Sequence, residues 1–361
     1  MSSIIFPATR RIRCHAFRPI AIAGKVVKKR ISRCHPYQRR DWNSEIFNHK
    51  CHSFWSISPT STNDECDERY SLYESVSAYL FRQGKTWKRL SHVLEMAAGH
   101  EQEGDKTIIA PAAKKQSIAD IGTDHGLLAM ALALTGKYNT VVGVDVSDQA
   151  LTYGALATLD KIRNQTRSLN DEDFDDIPEL PVEFRLGNGL EALEFGEADI
   201  ICIAGMGVNT MLQILEQKSS TNNKFPTNLE KIGCKRLVLQ ATNSRPRNLI
   251  RLYDRLQKFG WKVEDERIVK LSSRWYITAR FELSDATLRT AYHDYETGKL
   301  FDLELPGSKL RSFDELNSMR KIFDEYCLHH KKWIQKDAKA SRQQIDQRDI
   351  RWLEYFFDET I

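Results

Sequence analysis

The sequence predicts an α/β protein in which a mostly parallel sheet, covered by helices, is followed by a helical, coiled-coil-like C-terminal appendage. Three observations predict it. After Pro111, short β-branched runs alternate regularly with helical segments. Residues 119–126 place a glycine-containing turn directly between a strand and a helix. From Ser312 onward the chain contains neither Gly nor Pro, the two residues that most often interrupt helices.

The elements follow in order. Leu90, Val93, Leu94 and Ala97 recur at helical spacing, so a helix over 88–98 precedes the first strand. Strands are then expected at 117–121, 141–146, 182–186, 198–203 and 235–240, with helices at 126–135, 148–163, 208–217 and 246–259. Parallel strands need long crossovers, and these helices supply them. Segments 261–271 and 275–282 lie only a few residues apart, which predicts an antiparallel finish. Ser312 with Glu315 makes a capping box ahead of a stripe formed by Leu316, Met319, Phe323, Tyr326 and Trp333. With Ile345, Trp352, Leu353, Phe356 and Phe357 beyond it, this stretch is expected to form one long helix or a helical hairpin. The stripe equally suits simple packing against the preceding domain. The expected boundaries are a leader and linker over 1–67, an α/β domain over 68–290 and the helical region over 291–361.

Composition narrows the class. Hydrophobic residues make up 41% and charged residues 28% of the 361, and no apolar run approaches the roughly 20 residues of a membrane span, so no membrane association is expected. Residues 1–40 hold eleven Lys or Arg and no acid, leaving 42 basic against 49 acidic residues in the remainder, a balance of −7. An Arg-rich, acid-free stretch without a long hydrophobic core reads as an organellar transit peptide rather than a secretory signal. The mitochondrion is the expected address. Ala16-Phe17-Arg18-Pro19 makes the plastid the alternative, and a basic arm touching RNA is the other reading of the leader. The seven cysteines form no C-x-x-C pair, so neither a metal site nor a disulfide framework is expected. Cys202 and Cys234 read as small buried hydrophobes. Six acids between 170 and 179 read as a solvated surface loop.

The chemistry concentrates at the strand ends. Ala119-Asp120-Ile121-Gly122-Thr123-Asp124-His125-Gly126 occupies the first strand-to-helix turn, where a doubly wound sheet binds nucleosides. A dinucleotide fingerprint needs a second glycine where Asp124 stands. A carboxylate there would repel a pyrophosphate but can pair with the ammonium of a methionine moiety, which favours S-adenosylmethionine over NAD. Asp145, ending the next strand and followed by Val146, can accept from both ribose hydroxyls; on its own it would be an ordinary helix cap. In Gly187-Asn188-Gly189, Asn188 can accept from the adenine amine, or simply serve as a turn residue. The fourth strand ends in Ala204-Gly205-Met206-Gly207, where two glycines leave room for a flat ring beside the methyl donor and Met206 packs on it or fills core. Asp120, Gly122, Asp124, Asp145, Val146, Asn188, Gly189, Ala204, Gly205 and Met206 are therefore the candidate cofactor residues.

Asp-Ile-Gly-Thr-Asp-His at 120–125, Gly-Asn-Gly-Leu at 187–190, Ile-Ala-Gly-Met-Gly at 203–207 and Leu-Gln-Ala-Thr-Asn at 239–243 resemble, in order, the signatures of the bacterial tRNA (adenine-22-N1)-methyltransferase family. Lys88-Arg89-Leu90 looks like that family's opening helix, and the C-terminal stretch matches its helical appendage in place and kind. The resemblance covers roughly 85–340 and implies a Rossmann-like class I methyltransferase sheet. The chain departs from the pattern at Asn188, Val208 and Gln240-Ala241-Thr242-Asn243, and it adds the leader and the acidic loop.

The resemblance implies S-adenosylmethionine as cofactor, tRNA as partner and methylation of adenine N1 as the reaction. Asp124, His125 and Asn243 are the candidate catalytic residues: Asp124 as a nearby negative charge, His125 as a polar contact to cofactor or base, Asn243 to orient the adenine edge. Arg245, Arg247, Arg251 and Arg255 on one helix, and Lys331, Lys332, Lys336 and Lys339 on the C-terminal stretch, could grip phosphates or be solvated faces. A monomer or weak dimer is expected. The alternatives are a methyltransferase for a small molecule or protein, an NAD-dependent oxidoreductase, and a non-catalytic RNA-binding factor on the same scaffold.

Overall fold

The computed structural model describes residues 72–98, 116–169, 180–217, 228–242, 244–284, 305, 307, 311–340 and 346–357. The leader, the acidic loop, Ile345 and Asn243 lie outside the described residues.

Two helices, α1 (Leu72–Arg82) and α2 (Lys85–Ala98), precede the sheet. Then come β1 (Gln116–Ile121), α3 (Leu127–Leu134), β2 (Tyr138–Asp145), a π-helical turn (Ala150–Leu156) running into α4 (Ala157–Leu169), and β3 (Val182–Leu186). They are followed by β4 (Ile200–Met206), α5 (Val208–Leu215), the short α6 (Asn228–Ile232), β5 (Arg236–Thr242), α7 (Pro246–Lys258), β6 (Trp261–Leu271) and β7 (Arg274–Leu283). The C-terminal helices are α8 (Phe313–Ala340) and α9 (Gln347–Phe357). The sheet order is β3-β2-β1-β4-β5-β7-β6. β1 pairs in parallel with β2 and β4, β2 with β3 and β4 with β5. β7 inserts antiparallel between β5 and β6, as the short 271–274 connection requires. This is a Rossmann-like sheet with C-terminal helices. The strand order reverses between β1 and β4, and it is at such a switch point, outside the carboxyl ends of the strands, that a doubly wound sheet offers its ligand crevice.

The elements form for local reasons. Residues 118–121 of β1 and 200–203 of β4 are buried, and these near-continuous apolar runs are what a sheet covered by helices needs. α3 is buried at every position, so its sequence is apolar all round rather than amphipathic. α1 was not expected from the sequence, yet Leu72, Val76 and Leu80 repeat at four-residue spacing and are buried in it. α2 buries Trp87, Leu90, Val93, Leu94, Met96 and Ala97 against the β4, β5, β7 side of the sheet. An ion pair from Arg267 to Glu95 and a bond from Arg236 Nη1 to the Ala97 carbonyl (3.2 Å) fix its angle.

α8 begins as the capping box predicts, with the Glu315 amide donating to Ser312 Oγ at 3.3 Å. Its stripe is spent on the domain itself. Met319, Phe323, Tyr326, Cys327 and Ile334, with Trp352 and Leu353 of α9, belong to the same core as β5, β6, β7 and α7. α8 packs against β6, the last strand of the sheet, and α9 returns onto α7.

Candidate functional site

The first strand-to-helix turn carries three left-handed residues within five: Gly122 (φ 76°), Asp124 (φ 50°) and Gly126 (φ 72°). Such a turn closes tightly enough for the Gly122 and Thr123 amides both to donate to the Val144 carbonyl, at 2.8 and 3.0 Å. Gly126 is required sterically as well, since a Cβ there would stand 2.7 Å from the Phe184 ring. Asp is one of the few side chains that accept the left-handed region, because its short carboxylate can interact locally. The Asp124 carboxylate is left exposed at the mouth of the turn, with His125 Nε2 3.8 Å from its Oδ1.

Asp145 binds the turn to the second strand. Its Oδ2 accepts from the Asp124 amide at 2.9 Å and its Oδ1 from the Ser147 amide at 2.9 Å. Each oxygen keeps acceptor capacity beyond these bonds, which suits ribose hydroxyls. Val146, beside it, is 69% exposed. Asn188 is exposed with extended backbone, and Gly189 is buried behind it. The Gly187 amide ties this third strand end to the Asp145 carbonyl at 2.9 Å.

Asp120 plays a different part from the ligand contact expected of it. It is 2% exposed, accepts from Thr123 Oγ1 at 2.8 Å, and takes a further bond from the Ala129 amide. Burial pushes its pKa up to about 7 against the opposing pull of Thr123 and Arg89. It braces the turn from beneath.

The fourth strand end contains an irregularity that the sequence did not reveal. Ala204 pairs with Gln240 and Met206 with Ala241, so Gly205 is the extra residue of a bulge, exposed and at φ 78°. Beyond it, Met206 Cε reaches back so closely over Gly122 that a Cβ there would lie 2.0 Å away. Ala204 is half-buried at the base.

Sequence reasoning also missed a polar group at this end. Arg89 Nη1 donates to Gln240 Oε1 at 2.9 Å, and Gln240 Nε2 donates to the Arg89 carbonyl at 3.1 Å and to Thr278 Oγ1 at 2.8 Å. Gln240 is fully buried, and the guanidinium lies 5.5 Å from the Tyr276 ring centre. The only available signal was Arg89's place in the opening-helix motif, because its partners are 151 or more residues away.

The arginine row on α7 is largely engaged within the protein. Arg247 pairs with the buried Asp349 at 3.2 Å, Arg255 with Glu216 at 2.7 Å, and Arg251 donates to Asn209. Arg245 lies 3.3 Å over the Trp333 ring, while Tyr326 donates to the Ser244 carbonyl at 3.0 Å. The C-terminal helix thereby holds the residues immediately after β5. On α8, Lys331 lies over Phe357, and Lys332 and Lys336 are exposed; the Lys339 side chain lies outside the described residues. Among the described residues no His, Cys, Asp and Glu cluster is placed to hold a metal ion. Cys202 and Cys234 are buried free thiols, as small hydrophobes would be.

The crevice thus gathers Gly122, Asp124, Asp145, Val146, Asn188, Gly189, Gly205 and Met206 at one rim. Its residues fit a sulfonium nucleoside: a carboxylate for the ammonium, an acid at the ribose position, an uncharged amide at the adenine position, and no side chain at Gly205. Residues 106–278 match the family described as Methyltransferase domain. The tRNA (adenine(22)-N(1))-methyltransferase of Bacillus subtilis is 27% identical over 168 residues, covering 46% of this chain and 59% of that protein. The match therefore spans a little over half of the relative's length. Among solved structures, the B. subtilis M1A22 tRNA methyltransferase TrmK is 22% identical, with a TM-score of 0.43, over 74% of this chain and 93% of that one. The M. capricolum TrmK in complex with S-adenosyl-homocysteine is 20% identical, with a TM-score of 0.42, over 74% and 91%. The match to that family spans a little under half of the chain and contains the strands of the Rossmann-like sheet from β1 to β5.

Proposed function

We propose that this protein is an S-adenosylmethionine-dependent tRNA methyltransferase acting on adenine N1. The observation that carries the reading is the coupling of two acids across adjacent strand ends: Asp145 accepts from the Asp124 amide, and the Asp124 carboxylate stands exposed beside it. One acid suits the ribose and the other the amino-acid end of a single nucleoside. The match to an adenine-N1 tRNA methyltransferase supports the choice of substrate.

When bound, the donor supplies a methyl group on a positively charged sulfur. Adenine N1 already carries its lone pair, so no residue must first remove a proton. The protein's work is placement. The Gly205 bulge leaves space for a flat ring at the end of β4, and Met206 closes the floor over Gly122. Asp124 puts negative charge where the methylated base becomes cationic, and His125 beside it offers a polar contact. N1 lies on the pairing edge, so the target base must be exposed before it enters. Exposed Lys332 and Lys336 on α8 supply positive charge for the RNA backbone. The acid-free leader supports delivery to the mitochondrion, with the plastid as the alternative; a fluorescent fusion of residues 1–67 decides between them.

The test incubates the protein with methyl-labelled donor and unmodified tRNA and identifies the labelled nucleoside. Label is expected in 1-methyladenosine, and is expected to be lost in Asp145→Ala. Label in another nucleoside, or undiminished label in the variant, would overturn the reading.

A further inference from the structure

The carboxyl edge of the sheet is divided by charge. At the ends of β1 and β2, Asp124 and Asp148 are exposed and Asp145 is half-buried, and neither 120–126 nor 145–160 contains a Lys or Arg. The far half of the same edge is different. β7 runs antiparallel to β5, with Tyr276 across from Thr242, so the β6–β7 tip stands beside the end of β5. Leu271 pairs with Arg274 across a two-residue connection, and Ser272 takes the left-handed backbone (φ 57°) that so short a turn demands.

Three segments distant in sequence meet at this tip. Lys85 Nζ, at the start of α2, donates to Ser272 Oγ at 2.9 Å. Lys270 pairs with Glu325 of α8 at 2.7 Å and lies 5.1 Å from the centre of the Trp275 ring. His329 of α8 lies 4.7 Å from that ring as well. The stretches 85–88, 270–274 and 328–336 hold seven Lys or Arg and no acid, in a chain whose residues beyond 40 carry a net −7. Lys85, Lys88, Lys270, Arg274, Lys332 and Lys336 are exposed.

Surface lysines are ordinarily just solvated. These come from three separate elements and converge beside the end of β5. In the sheet order β1 and β6 are four strand spacings apart, roughly 19 Å at ~4.8 Å each, beyond the ~8–10 Å screening length near physiological salt. A phosphate backbone on the basic half therefore feels little of the acids, whereas one laid over the donor half is repelled.

We propose that the β6–β7 tip, with Lys88 of α2 and Lys332 of α8 beside it, carries the phosphate backbone of the RNA next to the target base. This deepens the tRNA reading and rests on it. The grip is placed on the sheet itself, and α8 extends it.

The double variant Lys88→Gln/Arg274→Gln tests the surface against Lys258→Gln/Lys262→Gln, which removes two exposed charges at the end of α7 and the start of β6, on the opposite edge. Binding of unmodified tRNA to the full chain is followed by fluorescence anisotropy from roughly 50 to 200 mM salt. Each lost phosphate contact should flatten the slope of log affinity against log salt by about 0.7–0.9, and so weaken binding about 5- to 8-fold near 0.1 M salt. The first variant should lose about 25- to 60-fold in all, with S-adenosylhomocysteine affinity unchanged, and the second should keep both slope and affinity. Arg274→Lys, which keeps the charge, should keep the slope. An unchanged slope in the first variant, or equal losses in the two, would overturn the proposal. Weakened S-adenosylhomocysteine binding in the first variant would mark these residues as structural and overturn it too. Should that variant fail to fold, acetic anhydride labelling of the wild type decides: bound tRNA should shield Lys85 and Lys88 but not Lys258, and uniform labelling refutes the surface. A wild type without affinity for tRNA across this salt range sinks the tRNA reading itself, a result distinct from the others.

Discussion

Replacing Asp120 by Asn should make the fold more stable at alkaline pH, although the change removes a charge from the most recognisable motif of the chain. The carboxyl is 2% exposed, accepts from Thr123 and from the Ala129 amide, and its pKa rises from 3.8 to about 7, chiefly through burial. A group whose folded pKa lies above its unfolded value stabilises fully below the unfolded pKa. That contribution is lost as pH rises through the folded one. Each pH unit is worth ~1.4 kcal/mol, so ionising Asp120 inside the fold costs up to about 4 kcal/mol once the pH is well above 7. Asn keeps a carbonyl for the same donors and never pays this penalty, but its amide must be accommodated beside Thr123. We therefore expect Asp120→Asn to match the wild type at pH 5 and to exceed it by about 1–3 kcal/mol at pH 8.5. Urea denaturation from pH 5 to 9, without donor, measures both. A variant no more stable than the wild type at pH 8.5, with the pH slope between 6 and 8.5 intact, would show that Asp120 is ionised without strain and refute the reasoning.

Gly122→Ala should cost about 1–2 kcal/mol from the left-handed backbone alone. Because the new Cβ displaces Met206 Cε, it should also weaken S-adenosylhomocysteine binding, and calorimetry at unchanged affinity would contradict the described crevice floor. Trp333→Ala removes the ring beneath Arg245 and with it roughly 1–2 kcal/mol of cation–π contact. Since this contact braces the residues after β5 rather than the donor pocket, kcat should fall while S-adenosylhomocysteine affinity holds; an unchanged kcat would separate the helix from the acceptor side.

Much of the site is legible without the fold because it is local. The strands β3 and β6 begin and end where the sequence reading puts them, since β-branched runs bounded by turn residues carry their own periodicity. The turn at 122–126 is visible for the same reason: its glycines and Asp124 answer a backbone demand made within five residues. The π-helical turn at 150–156 has no such mark, and a plain helix was expected there. Its course is set by packing, for Gly154 lies so near His125 that a Cβ would stand 2.9 Å from Nδ1.

What the sequence by itself determined is the order of elements, the parallel sheet with its antiparallel finish, and the strand ends where the chemistry collects. Only the tertiary structure decided which charges are free to act. It buried Asp120, paired the arginines of α7 with partners on α5, α9 and the end of α5, and left Arg89 with a neutral glutamine 151 residues away. The reason is physical: backbone preference is settled among neighbours in the chain, whereas the cost of a charge depends on what surrounds it in space.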